Sequence, residues 1–239
     1  MPPAVPRPPA VVFFDAGDTI LAPAPSFAAR FGLVTEALGE RFELAAVEAA
    51  LAAEVAGAAW PATWTDAAVQ RDFWTSFYRS AVGRLGPGGD PERLVEALWA
   101  TFSDPATYRL FPDVRPVLRA LAGAGIRLGL ISNFEPWLLD VLELEGVRDL
   151  FGPVAVSGLL GVAKPDPAIF HAALDAAGVE PDQAVHVGDS LTFDVEPAWA
   201  VGMAAVLIDR AGRASPPAGT EVTTLADLTG LPGLFHRGA

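Results

Sequence analysis

The apolar positions of this chain fall into two kinds of pattern. Val11-Val12-Phe13-Phe14 is an unbroken apolar run, β-branched and aromatic, which predicts a short strand buried on both faces. It stops at Asp15, and Ala16-Gly17-Asp18-Thr19 is turn chemistry. From Ser26 to about Arg41, Phe27, Phe31, Val34 and Leu38 recur at helical spacing behind a serine suited to capping. Glu43 to Ala59 is alanine-rich and helical, and Asp66 to Leu85 carries Val69, Phe73, Phe77 and Val82 on one helical face. Gly86-Pro87-Gly88-Gly89 breaks that pattern. Asp90-Pro91 then opens a fourth helix through Leu94, Leu98 and Trp99 to about Phe102. Four helices and no clear strand over 22–105 predict a separate helical bundle.

Beyond that point strands and helices alternate. Asp113 is placed to cap a helix ending at Gly123, and Arg127–Ser132 reads as a buried strand. A helix near Pro136–Leu144, a strand near Val154–Ser157 and a helix near Ala168–Ala177 follow. Next come a strand at Ala184–Val187, a helix near Phe193–Val201 and a strand at Ala204–Ile208. This alternation predicts an α/β fold with a doubly wound parallel sheet. The Val11–Phe14 strand needs partners, so it belongs to that sheet and the bundle is an insertion. The expected division is a core of 1–21 and 106–239 and a four-helix cap of 22–105.

Composition narrows the class. The 239 residues suffice for one large domain or a core with a smaller partner. A net charge of −13 argues against a nucleic-acid partner. No apolar run is long enough to span a membrane, and the first ten residues, five of them proline, read as an extended tail and not a signal peptide. Cysteine is absent, which excludes disulfides and thiolate metal sites. A soluble cytoplasmic protein is expected. Of its 16 basic residues 15 are arginine, and Lys164 is the sole lysine, which is either chance or the mark of a site needing a compact ammonium.

The candidate chemistry lies in four turns. Asp15 ends its strand where open α/β sheets bind ligands. Ser132-Asn133 ends the next strand, although Ser-Asn is also an ordinary helix start. Lys164 stands directly before two prolines, in the stiff turn Lys164-Pro165-Asp166-Pro167. Gly188-Asp189-Ser190-Leu191-Thr192-Phe193-Asp194 brings two further carboxylates, of which Asp194 could equally offset a helix dipole. Converging on one crevice, Asp15, Asp189 and Asp194 need a cation among them, and an all-oxygen set suits Mg²⁺. A carboxylate so held can attack a phosphoryl group, with Ser132 and Lys164 on the equatorial oxygens.

Taken in order, these four turns resemble the motifs of the haloacid dehalogenase-like hydrolase superfamily, in its helical-cap subgroup without a second cap. The resemblance implies that Asp15 is nucleophile and metal ligand and Asp189 a metal ligand. It implies that Asp194 supports or shares the metal and that Gly17 contributes through its carbonyl. Thr19, Ser132, Asn133 and Lys164 would bind the phosphoryl group of a small-molecule phosphate ester. One position departs from the pattern, because the phosphatase members carry an acid/base Asp where this chain has Gly17, and Asp18 follows one residue later. The departure leaves two alternatives open: a metal-independent haloacid dehalogenase, for which Arg30 or Arg41 could receive halide, and a weakly active or inactive binding protein. Trp60, Trp64, Phe73, Trp74, Phe77 and Tyr78 read as bundle core, with the Trp60–Trp64 loop nearest to substrate; His171 and His186 read as structural.

Overall fold

The computed structural model describes residues 2–61, 64–86, 88–212, 216 and 221–235. In chain order the elements are β1 (Val11–Phe14), β2 (Leu21–Pro23), α1 (Phe27–Ala37), α2 (Leu44–Gly57), α3 (Ala67–Leu85), α4 (Pro91–Phe102) and β3 (Tyr108–Leu110). They continue as α5 (Val114–Gly123), β4 (Arg127–Ser132), α6 (Leu138–Leu144), β5 (Phe151–Val156), α7 (Ser157–Leu160), α8 (Pro167–Ala177) and β6 (Ala184–Gly188). The last are α9 (Glu196–Ala200), β7 (Ala204–Ile208), β8 (Thr223–Leu225) and α10 (Leu231–Phe235). The chain divides into two compact units, one of 1–21, 63–65 and 110–239 and one of 22–62 and 66–109. β2 and β3 pair as a two-stranded ribbon where the chain passes between them.

The first unit is built on a six-stranded parallel sheet in the order β5-β4-β1-β6-β7-β8. All four residues of β1 are fully buried, as an apolar run covered on both faces must be. Val11 and Phe13 pack with Ile169, Phe170 and Ala173 of α8, and Val12 and Phe14 point the other way. β1 lies between β4 and β6, with Phe14 opposite both Leu130 and Val187. The chain winds outward from β1 through β4 to β5 and returns to β6 on the other side. The carboxyl end of β1 is therefore the switch point at which a doubly wound sheet opens a crevice.

The second unit is a helical bundle. Ser26, Asp66 and Asp90 each accept from a first-turn N–H, so the caps lie where the sequence places them. Gly86 closes α3 in the left-handed conformation; Pro87 of the same break lies outside the described residues. Phe31, Phe77, Tyr78, Val82, Leu94 and Phe102 are buried together, and the Tyr78 and Phe102 rings stack at 5.6 Å. Val69 departs from expectation, standing 40% exposed at the start of α3. Trp60 is 38% exposed and packs on Phe73 and Trp74. Trp64 is buried and groups with the first unit; residues 62 and 63 of that loop lie outside the described set. Arg30 donates to the Ala24 carbonyl, and Arg41 pairs with Glu36 at the surface.

One expected cap is not made. Asp113 precedes α5, yet its carboxylate makes no bond to that helix. It accepts instead from Arg210 and from the Leu228 N–H at 2.8 Å. Although burial opposes ionisation, these donors hold the Asp113 carboxyl below the ordinary carboxylate range. A charged bidentate partner outcompetes a neutral cap bond.

Candidate active site

Asp15 follows β1 directly, its own N–H donating to the Val187 carbonyl of β6 at 2.8 Å. Behind it the chain turns back tightly, with Ile20 and Leu21 N–H groups both on the Ala16 carbonyl. Thr19 is thereby buried, with its hydroxyl 3.5 Å from Asp15 Oδ2, the outer limit of a hydrogen bond. Gly17 O accepts from the Thr19 N–H at 2.6 Å and keeps a second lone pair. Asp18 is exposed and has a φ of +52°, a left-handed conformation that Asp tolerates better than most residues.

The sole lysine reaches this turn from 149 residues away. Lys164 is buried, and its Nζ donates to Asp15 Oδ1 at 2.7 Å and to Asp194 Oδ1 at 2.5 Å. Burial alone would lower the lysine; the two carboxylates overcome it and raise the ammonium above the usual lysine range. Asn133 fixes Lys164 from behind: its amide donates to the Lys164 carbonyl at 2.8 Å and its Oδ1 accepts the Lys164 N–H at 2.7 Å. The Asn133 side chain, expected on the phosphoryl group, thus also holds the lysine's main chain, with one N–H of its amide left over. Ser132 Oγ is fully buried and has no hydrogen-bond partner among the described residues.

Asp194 lies on a widened, π-helical turn, Leu191–Val195, where a regular helix is expected from sequence. Its carboxylate is almost completely buried and is no dipole ornament. Besides Lys164 it accepts from the Ser190 N–H at 3.0 Å and contacts His186 Nε2 at 2.8 Å. Burial opposes its charge, but Lys164 and His186 hold it well below the ordinary range. Asp15 goes the other way: burial raises its carboxyl, Lys164 offsets this only in part, and Asp194 adds like charge. Asp189 keeps more of its surface in water, yet desolvation of its carboxyl and the charges of Asp15, Asp194 and Asp18 raise it well above the ordinary value. Oxygens of Asp15, Asp189 and Asp194 all lie within 4.8 Å of one another.

Two residues of this site escape a sequence reading. His186, read as structural, forms part of its wall; it lies three residues before Asp189 in β6 and contacts the acid five residues beyond that. Gly188 is required by the acid itself. A Cβ there would stand 2.2 Å from Asp194 Cγ, an atom held in place by three partners. Gly188→Ala is therefore expected to expel Asp194 from its pocket and to cost about 1–3 kcal/mol of stability, read from urea unfolding. An unchanged midpoint would mean that the pocket yields freely.

These four turns on one parallel sheet have counterparts in known proteins. A family model for haloacid dehalogenase-like hydrolases matches residues 9–202. The chain belongs to that family. Within it, the chain is 41% identical over 115 residues to the haloacid dehalogenase-like hydrolase domain-containing protein 3 of Bos taurus, covering 48% of this chain and 46% of that one. It is 35% identical over 159 residues to a phosphoserine phosphatase of Thermus thermophilus, covering 65% and 64%. The chain thus spans about half to two thirds of the length of these relatives. Among solved structures of the family, the HAD phosphatase from Thermococcus onnurineus superposes with a TM-score of 0.61 at 26% identity, covering 94% of this chain and 96% of that one. No helix among the described residues is long and apolar enough to cross a membrane.

Proposed function

We propose that this protein hydrolyses a small phosphate monoester through a phosphoryl group carried on Asp15. The observation that carries this reading is the single ammonium of Lys164 shared by Asp15 and Asp194, with Asp189 as a third carboxylate beside them. Three carboxylates and one ammonium leave two negative charges, the complement of one divalent cation. The oxygen-only donor set suits Mg²⁺, held by Asp15, Asp189, Asp194 and the Gly17 carbonyl. Bound there, the ion would supply positive charge against the phosphoryl oxygens. The phosphatase names of the Thermus and Thermococcus relatives support the same chemistry.

In this reading Asp15 attacks phosphorus through the oxygen not held by Lys164, and the ester oxygen leaves. Ser132, whose hydroxyl lacks a partner among the described residues, donates to an equatorial phosphoryl oxygen, and Lys164 neutralises charge there. Asp18 gives the leaving oxygen its proton and then takes one from the water that cleaves the aspartyl-phosphate. Two features favour Asp18. It stands exposed in the turn three residues after Asp15, and its charge is felt by Asp189. The helical insertion at 22–105 would act as the cap that selects the ester.

The test is phosphate release from a panel of small phosphomonoesters, with Mg²⁺ and after EDTA. Turnover that disappears with the chelator and returns with Mg²⁺ is expected. Halide release from 2-haloacids without any phosphate release would overturn the reading, as would tight binding of every ester without turnover. Asp18→Asn is expected to lower kcat on the order of 100-fold or more, the usual worth of a general acid/base. A Cβ at Gly17 meets nothing within 4 Å, so Gly17→Asp in that background is expected to restore turnover. Full activity in Asp18→Asn alone would remove Asp18 from the proton transfers.

A further inference from the structure

Arg210 lies two residues beyond β7 and makes no contact that the chemistry above requires. Its guanidinium nevertheless meets three separate partners, Thr19, Asp113 and Phe111. Nε and Nη2 donate to the Thr19 carbonyl at 3.1 and 2.8 Å, across 191 residues of chain. Nη1 and Nη2 donate to the two oxygens of Asp113 at 3.0 and 2.9 Å, and the flat face lies over the Phe111 ring at 3.9 Å. Asp113 is itself fixed by the Leu228 N–H, and the Phe111 N–H donates to the Ile20 carbonyl next to Thr19. The plane of the guanidinium is thus set by the Asp113 carboxylate and the Phe111 ring before it meets Thr19.

Thr19 is the residue through which this order reaches the site. It is fully buried, and Arg210 supplies two of the hydrogen bonds to its carbonyl, so removing that side chain strips both donors from it. The same residue presents its hydroxyl to Asp15 and follows Asp18 directly. We propose that Arg210 is a positioning residue for the Asp15–Thr19 turn: oriented by Asp113 and Phe111, it grips the Thr19 carbonyl and sets where Thr19 and Asp18 stand relative to Asp15. It touches no reacting atom. Its effect belongs to kcat and not to substrate binding, because it tunes the placement of catalytic groups.

The grip depends on a planar fork, which lysine lacks. Arg210→Lys and Arg210→Met are therefore both expected to lower kcat, on the order of 10- to 100-fold, with KM within about twofold. Asp113→Asn, which keeps the guanidinium but loosens its aim, is expected to fall between these variants and the unaltered protein. The kcat comparison rests on the phosphatase reading; a second measurement does not. Hydrogen exchange at the Ile20 and Leu21 amides, both bonded within the turn, is expected to accelerate at least tenfold in Arg210→Lys while the amides of β6 and β7 keep their protection. Faster exchange in the turn, with no phosphatase activity in the unaltered protein either, would support the positioning role and sink the phosphatase reading alone. Unchanged exchange in the turn, or exchange accelerated equally throughout the sheet with kcat per folded molecule intact, would overturn the proposal.

Discussion

Asp15→Asn is expected to bring phosphate release down to background, a loss on the order of 10⁴-fold or more, as when a nucleophile is removed outright. The carboxamide keeps the volume of the carboxylate, so the turn should hold its shape, but it supplies neither the attacking oxygen nor the charge. The stability of this variant should move in the opposite direction. In the folded protein burial and the like charge of Asp194 raise the Asp15 carboxyl, which marks its ionised form as costly there. Without a divalent cation, removing that charge should leave the protein as stable as before or more so. Lys164 still has Asp194 at 2.5 Å. The paired measurement is phosphate release beside thermal unfolding in EDTA. Turnover within tenfold of the unaltered protein would exclude Asp15 as nucleophile, and a sharp fall in Tm would show that its charge is structural.

Lys164→Met should fail in both respects. Methionine fills the space of the lysine stem but leaves Asp15, Asp194 and Asp189 clustered with no ammonium. Removing one partner of a buried charge set costs about 3–5 kcal/mol, and turnover should vanish with it. Addition of Mg²⁺ should restore part of the stability, since a cation that binds only the folded form stabilises by mass action. The pH dependence has a definite sign. In the unaltered protein Asp194 is held below the ordinary carboxylate range, so its contribution is complete above that range and is lost as pH falls through the lowered value. Lys164 is raised, so its contribution is complete below the ordinary lysine value and lost only at higher, strongly alkaline pH. Both are therefore constant between pH 5 and 7.5. In Lys164→Met the crowded carboxyls instead take up protons more readily when folded, so that variant should gain stability from pH 7.5 to 5. Urea midpoints at the two pH values in EDTA measure this, and a deficit that does not narrow at pH 5 would contradict it.

The principal strands and helices, their order and the turns that hold the candidate site are legible in the sequence alone. The fully apolar run Val11–Phe14 has to be a strand covered on both faces, and the alternation after residue 105 requires parallel neighbours for it. Asp15, Ser132 and Gly188-Asp189 follow as residues at strand ends and Lys164 as a residue leading into two prolines, because each breaks an apolar run with residues that cannot continue it. What sequence could not give is which partner each polar side chain chooses. Asp113 has the local form of a helix cap and takes Arg210 instead; Asn133 also holds the main chain of Lys164; His186 looks inert and contacts Asp194. The paired short strands β2 and β3, the edge strand β8 and the helix α10 also escape, being only three to five residues long and too short to show a period. Periodicity records whether a residue is buried, because burial repeats with the local geometry of one element. A hydrogen bond between Thr19 and Arg210 spans 191 residues, and no local pattern records it. Only the folding of the sheet brings those two turns together, and a charged fork then outcompetes the weaker neutral bonds that a local reading expects.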